Sequence, residues 1–89
     1  MNSSKNWDLQ IDSSVLKALK RIPRREAEGL LAVVRFLPSD PYFGDIKKMR
    51  GEKDVWRRRV GSYRLFYKIK IAEQKVLVFR IERRTSHTY

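Results

Sequence analysis

The 89-residue sequence contains no cysteine and a single histidine, His87, close to its C-terminus. Without cysteine the chain cannot form disulfides, bind zinc through thiolates or use a thiol nucleophile. One histidine does not make up a typical metal site, and the sequence has neither a glycine-rich phosphate loop nor a G-x-S-x-G motif. We therefore expect a protein that works without a metal ion or another cofactor.

Long apolar runs are also missing. No run approaches the roughly 20 residues that span a bilayer, and the N-terminal segment MNSSKNWDLQ has no apolar signal core. The sequence therefore predicts no membrane association and a cytoplasmic location. At this length we expect a single small domain over residues 1–89, with no room for a second core.

Acidic residues are scarce, because 10 Asp and Glu stand against 21 Lys and Arg, a net charge of +11. The charge is segregated: residues 1–46 carry seven basic and six acidic residues, whereas residues 47–89 carry fourteen and four. Strongly basic domains commonly bind nucleic acid or an acidic protein. The plainer alternative is a soluble basic protein without such a partner, but the segregation favours an anion-binding surface.

The first half of the chain predicts a strand followed by two helices. Residues 6–11 alternate apolar and polar side chains, which is typical of a strand. A helix capped within residues 12–14 follows, Pro23 either ends it or opens the next helix, and that second helix covers about residues 24–37. The Pro-, Asp- and Gly-rich residues 37–45 predict a connecting loop.

The second half predicts three strands. Residues 46–54 continue the loop as a basic, exposed segment, and strands follow at about 55–60, 63–71 and 76–82. The resulting order is β-α-α-β-β-β. We therefore predict an α+β domain in which a helical hairpin packs on a small, mainly antiparallel sheet.

The segment VWRRRVGSYRLFYKI, residues 55–69, carries the functional signal. If Gly61 and Ser62 form a two-residue turn, Val60 pairs with Tyr63 and Arg59 with Arg64. The face expected to meet the helices then carries Leu65, Tyr67, Ile69 and Ile71. The opposite face carries Arg57, Arg59, Arg64, Phe66 and Lys68.

Such an arginine-rich face has two interpretations. It is either an ordinary solvated surface or a phosphate-binding site. Direct pairing of Arg59 with Arg64 costs stability, and arginine is favoured where a planar fork must hold a phosphate. Phosphate binding is therefore the better interpretation. Arg58 has the opposite parity, so it must find a partner under the helices or extend to an edge, which predicts a structural or partner-facing role.

The segment DIKKMRGEKDVWRRRVGSYRLFYKI, the strand VLVFRIERR and the terminal histidine and tyrosine resemble the RelE/ParE superfamily of bacterial and archaeal toxins. The resemblance covers nearly the whole chain. In that superfamily, RelE-like members enter the ribosomal A site and cut mRNA, ParE-like members poison DNA gyrase, and each is inhibited by an antitoxin encoded beside it. The resemblance therefore implies three partners, which are a cognate antitoxin, the ribosome and mRNA.

The RelE-like branch implies a metal-independent endoribonuclease. Its catalytic residues would be Arg57, Arg59, Arg64, Arg83, His87 and Tyr89. The arginine after the last strand corresponds to Arg83 or to Arg84. Further RNA contacts would come from Lys47, Lys48, Arg50, Arg84, Phe66 and Lys68.

Each catalytic group has a chemical role in this interpretation. The RNA 2′-hydroxyl attacks the phosphate, and the arginines stabilise the charge that develops. His87 has the only side chain that ordinarily titrates near neutrality, which suits proton transfer, and Tyr89 either stacks on a base or acts as an acid. Two alternatives remain: a ParE-like gyrase poison without nuclease activity, and an inactive nucleic-acid-binding relic.

Overall fold

The structure is a computed structural model that describes residues 6–84. Two helices and five strands occupy this part of the chain. Their bounds are β1 Asp8–Ile11, α1 Ser13–Arg21, α2 Arg24–Phe36, β2 Ile46–Lys48, β3 Val55–Val60, β4 Tyr63–Lys70 and β5 Lys75–Arg83. The predicted α+β class is confirmed. Strand β2 was not predicted, because three residues in a basic loop carry no periodic signal.

The strands form one mixed sheet in the order β1-β5-β4-β3-β2. Strand β1 runs parallel to β5, with Asp8 beside Lys75, whereas the other neighbouring strands are antiparallel. Within residues 6–84, the first strand is thus paired with the last. Both helices pack on the sheet, where α1 contacts β5 and α2 contacts β3.

The β3–β4 hairpin has the predicted register. Val60 pairs with Tyr63, Arg59 with Arg64, and the ladder continues in step to Trp56 and Tyr67. Gly61 has a φ of +57° at the first of the two turn positions, as a type II′ turn requires, and glycine adopts that conformation without steric cost. The glycine therefore sets which side chains of both strands share a face.

The core lies between the helices and one face of the sheet. Leu65, Tyr67 and Ile69 of β4 are buried there, as predicted. The helices contribute Val15, Leu19, Ala27, Leu30 and Val34. Ile71 was predicted on the same face, and that prediction is wrong: β4 ends at Lys70, and Ile71 is 70% exposed in the following turn.

Trp7 and Trp56 pack against this core, and the ring of Tyr42 lies edge-on to both. Within residues 6–84, neither helix is long and apolar enough to cross a bilayer.

Helix α1 begins with a carboxylate cap. The Asp12 side chain accepts hydrogen bonds from the Ser14 hydroxyl and, at 3.0 Å, from the Ser14 backbone N–H. These two bonds favour the ionised carboxylate and lower the pKa of Asp12 below its usual 3.8. The cap also satisfies a backbone donor that the helix itself leaves unpaired.

Replacing this cap should destabilise the domain. We expect Asp12→Ala to lower the melting temperature at neutral pH by a few degrees, because α1 loses its acceptor. Since the folded-state pKa is lowered, the stabilisation is present above the ordinary pKa and disappears as the pH falls through the folded-state value. The difference between wild type and variant should therefore shrink in acid. Asp8→Ala removes the same charge without removing a cap, and an equal loss of melting temperature in both variants would contradict this assignment.

Candidate nucleic-acid interface

The sheet face that points away from the helices collects most of the predicted site. Directly paired residues of neighbouring strands share a face, so the register assigns each side chain. Lys47 pairs with Arg57, Arg64 with Glu82, and Phe66 with Arg80. We call this surface the open face, and it includes Lys47, Arg57, Arg59, Arg64, Phe66, Lys68, Arg80 and Glu82.

Three predicted catalytic arginines meet on the open face. Arg59 lies directly opposite Arg64, and Arg57 is two residues along the same strand from Arg59. The Arg59 Nε lies 3.9 Å from a carboxylate oxygen of Asp45. Within residues 6–84, neither Arg57 nor Arg64 forms an ion pair or a side-chain hydrogen bond, although both are half-buried. Two guanidinium groups are therefore available to an anion.

Arg80 also lies on the open face, and sequence reasoning missed it. Its guanidinium lies over the Phe66 ring, 5.2 Å from the ring centroid, and forms an ion pair with Glu82. Phe66 is only 8% exposed, and Arg80 lies over its ring. The predicted contact of Phe66 with RNA therefore requires that Arg80 move aside or bind the same RNA. The Glu82 carboxylate thus has the Arg80 guanidinium as its ion-pair partner.

A β-bulge explains why Arg80 was missed. The register slips between Phe66 and Tyr67, which leaves Phe79 of β5 without a partner. Simple alternation from Val76 and Val78 would have put residue 80 against the helices. The bulge reverses the faces beyond it. The signal was available, because Ile81 is apolar and breaks the alternation that Val76 and Val78 begin.

The same register separates the two arginines at the end of β5. Arg83 pairs with Tyr63, whose ring is buried against the helices and whose hydroxyl donates to Glu26 at 3.4 Å. Arg83 therefore has the parity of the helix side. Arg84 has the parity of the open face, and its backbone N–H donates to the Ser62 carbonyl at 2.7 Å. Arg84 follows the last residue of β5, and its Nη1 donates to the Gly61 carbonyl at 3.5 Å, so its side chain lies at the β3–β4 turn.

The remaining predicted RNA contacts surround this cluster. Lys47 and Lys68 lie on the open face, whereas Lys48 pairs with Trp56 and so has the parity of the helix side. At the β2 edge, a shallow cleft is lined by Lys47, Lys48, Met49, Arg50 and Arg57. His87 and Tyr89 lie outside the described residues, so their predicted roles stay predictions.

Arg58 has partners on the helix side, as its parity predicted. Its Nη1 donates to the Phe43 carbonyl at 2.6 Å, and its guanidinium lies 5.1 Å from the centroid of the Phe43 ring. The loop between α2 and β2 is thereby tied to the middle of β3. Asp45 follows in the same loop, and its carbonyl accepts the Arg59 N–H at 3.0 Å. Arg58 therefore has a structural role beside the open arginines.

The same loop is held at a second point by Tyr67. Its hydroxyl donates to the Pro41 carbonyl at 3.2 Å, and burial raises the pKa of Tyr67 to about 12. The phenol therefore stays protonated and keeps donating over the physiological pH range.

Comparison with known proteins defines the class as the toxin component of type II toxin–antitoxin systems. Residues 9–87 match the model of the ParE toxin of the type II system parDE. A Methanocaldococcus jannaschii protein named "Putative toxin RelE1" is 27% identical over 81 residues, which are 88% of this chain and 90% of that protein.

Solved structures show the same fold. The archaeal RelE–RelB complex from Pyrococcus horikoshii matches with a TM-score of 0.80 at 23% identity, covering 92% of this chain and 99% of that one. The isolated RelE toxin of E. coli matches with a TM-score of 0.76 at 20% identity, covering 91% and 87%. The chain belongs to the ParE toxin family of type II toxin–antitoxin systems, with the fold of the RelE toxins.

The contact between Arg58 and the loop can be tested at Gly44. This glycine has a φ of +91°, and a Cβ built on it would overlap the Arg58 guanidinium. We expect Gly44→Ala to destabilise the protein by about 1–3 kcal/mol, because it strains the backbone and displaces Arg58 from the Phe43 carbonyl. Chemical denaturation measures this loss.

Gly29→Ala is the matched control. Gly29 lies in α2 with ordinary helical φ, and a Cβ there would meet nothing within 4 Å. That variant should be stabilised by about 0.5–1 kcal/mol. Equal effects of the two substitutions would show that the space beside Gly44 is not restricted.

Proposed function

We propose that this toxin is a ribosome-dependent endoribonuclease that cuts mRNA and that its open face holds the scissile phosphate. The observation that carries the proposal is the pair Arg57 and Arg64, half-buried on adjacent strands and without an ion pair within residues 6–84. Half-burial strengthens their attraction for an anion relative to that of fully solvated cations. Planar guanidinium groups also match the geometry of phosphate oxygens.

The reaction needs no group from the protein as nucleophile. The 2′-oxygen of the RNA forms a bond to phosphorus while the bond from phosphorus to the 5′-oxygen breaks. The products are a 2′,3′-cyclic phosphate and a 5′-hydroxyl end. Negative charge develops on the phosphorane oxygens, and preorganised guanidinium donors stabilise that charge more than they stabilise the ground state.

Two protons must move in this reaction. One leaves the attacking 2′-hydroxyl, and one is delivered to the departing 5′-oxygen. We assign proton transfer to His87, with Tyr89 as the base-stacking residue or as the acid. Glu82 is a poorer base, because its carboxylate is paired with Arg80.

An antitoxin and the ribosome are the proposed partners. The net charge of +11 favours an acidic binding segment. The related Pyrococcus horikoshii toxin was solved as a RelE–RelB complex, which supports an antitoxin partner for this chain. We propose an extended antitoxin segment that orders as it wraps the domain. A ribosomal substrate places the activity in the cytoplasm.

A second candidate is a gyrase poison, because the matching family model describes ParE toxins. Induced expression in cells separates the candidates. Translation arrest with mRNA cut in coding regions supports the nuclease, whereas DNA damage with intact mRNA supports the gyrase poison. If the toxin is expressed without its antitoxin and neither effect appears, the protein is an inactive relic.

The open arginines should be needed for toxicity but not for folding. We expect Arg57→Ala, Arg59→Ala and Arg64→Ala each to reduce mRNA cleavage by at least about tenfold. Their melting temperatures should be equal to or above that of the wild type, because each substitution relieves repulsion among cations on one face. Growth assays, primer extension on cellular mRNA and thermal unfolding measure these effects.

The control for this series is Arg24→Ala. Arg24 lies on α2, on the helix side of the sheet, and its side chain is 92% exposed in a pair with Glu28. The substitution removes the same charge, so it should leave cleavage within about twofold of wild type. Full toxicity of all three open-face variants would rule out the site.

A deletion of residues 86–89 tests the predicted tail residues. Within residues 6–84, the buried core residues lie between Val15 and Val78, so the shortened protein should fold and still bind its antitoxin. We expect mRNA cleavage to fall by at least about tenfold, because the proposed proton donor is gone. Copurification with the antitoxin confirms folding. Undiminished toxicity of the shortened protein would remove His87 and Tyr89 from the mechanism.

A further inference from the structure

The open face contains a small apolar cleft beside the arginine cluster. It lies between the loop after β2 and the bulge of β5, and its volume is about 110 Å³, which is room for one planar ring system and not for a stack of several. Its lining residues are Met49, Glu52, Val55, Phe66, Phe79 and Arg80. The bulge contributes to this cleft, because Phe79 is the residue that it leaves unpaired.

Cations lie over both aromatic rings of the lining, and one of these cations, Arg80, is itself a lining residue. The Arg80 guanidinium lies 5.2 Å from the Phe66 centroid, and the Lys68 ammonium lies 5.8 Å from that of Phe79. Aromatic side chains beside a basic surface are the combination that holds single-stranded nucleic acid, because bases stack on the rings and phosphates bind the cations.

Among the described residues, Glu52 is the one acidic residue that lines the cleft. Its loop is closed by two backbone bonds, from Met49 N–H to the Val55 carbonyl at 2.9 Å and from Glu52 N–H to the Met49 carbonyl at 3.4 Å. Within residues 6–84, no cation pairs with Glu52. An ionised carboxylate only accepts hydrogen bonds, so it recognises an amino group on a ligand and disfavours a carbonyl oxygen.

The cleft is at the right distance from the arginines. Val55 in its lining precedes Arg57 by two residues of the same strand, which corresponds to about 7 Å along the sheet. Phe66 is the direct cross-strand partner of Arg57. The distance from a phosphate bound by Arg57 to the cleft is therefore about the length of one nucleotide.

We infer that this cleft receives the base of a nucleotide adjacent to the scissile phosphate and that Glu52 selects bases with an amino group over uracil. The inference rests on the proposed function, because it takes RNA as the ligand. Cytosine, adenine and guanine each present an exocyclic amino group that donates to a carboxylate, whereas uracil has no amino group and its one ring donor, N3–H, lies between two carbonyl oxygens.

Binding of short RNA probes tests the inference without requiring cleavage. The probes are 2′-O-methylated pentanucleotides, one of uracil alone and three with cytosine, adenine or guanine at the centre, measured by fluorescence anisotropy at one fixed salt concentration. We expect the wild type to bind at least one amino-bearing probe about fivefold or more tightly than the uracil probe. Glu52→Gln should abolish this preference, because its amide can also donate to a carbonyl oxygen.

Glu28→Gln is the matched control, since it makes the same change of charge on α2, where the Glu28 side chain is 69% exposed. This variant should keep the base preference of the wild type. The inference is overturned if the wild type binds no probe or binds all four alike, if Glu52→Gln keeps the preference, or if Glu52→Gln changes all affinities by one common factor. Base-dependent binding without mRNA cleavage in cells would instead contradict the proposed nuclease and leave the cleft established.

Discussion

The register of the β3–β4 hairpin is the constraint on which the rest of the molecule depends. Gly61 adopts a φ of +57° in a two-residue turn and so pairs Val60 with Tyr63. Because side chains alternate between faces, a slip of one residue would put the arginines under the helices and Leu65 into water. The core and the open face are therefore two results of a single turn. An unstrained glycine at this position is the least costly way to hold both.

The same pairing forces Arg59 against Arg64, and the magnitudes show why the fold tolerates it. A like-charge pair directly across two strands costs up to about 1 kcal/mol. On the other face of β4, Leu65, Tyr67 and Ile69 are almost completely buried, and each contributes about 1.5–3 kcal/mol through removal of apolar surface from water. The free energy gained by burying apolar side chains on one side of the strand thus exceeds the free-energy cost of charge repulsion on the other side. A face of crowded cations can persist in a domain this small because the opposite face is apolar.

Much of the fold could be predicted from the sequence, because period-two and helical patterns in short elements are local properties. The helices followed from their caps and from apolar residues at helical spacing. The hairpin register and the inward position of Arg58 followed from alternation and one turn. Local patterns failed where a non-local contact decided the outcome. Strand β2 exists because it pairs with β3, the bulge at Phe79 brings Arg80 to the open face, and Ile71 is exposed because β4 ends one residue earlier. The contact of Arg58 with the Phe43 carbonyl likewise joins residues 15 positions apart.

The parallel pairing of β1 with β5 has a consequence for synthesis of the protein. At the edge of the sheet, β1 has β5 as its neighbour, and β5 also supplies Arg80 and Glu82. While β5 is still inside the ribosome, β1 lacks its partner strand, and the open face lacks the residues that β5 contributes. Contacts between residues so distant in sequence form late in folding. The nascent toxin is therefore incomplete until β5 has been translated, which delays the appearance of a finished anion-binding surface until residues 75–83 have left the ribosome.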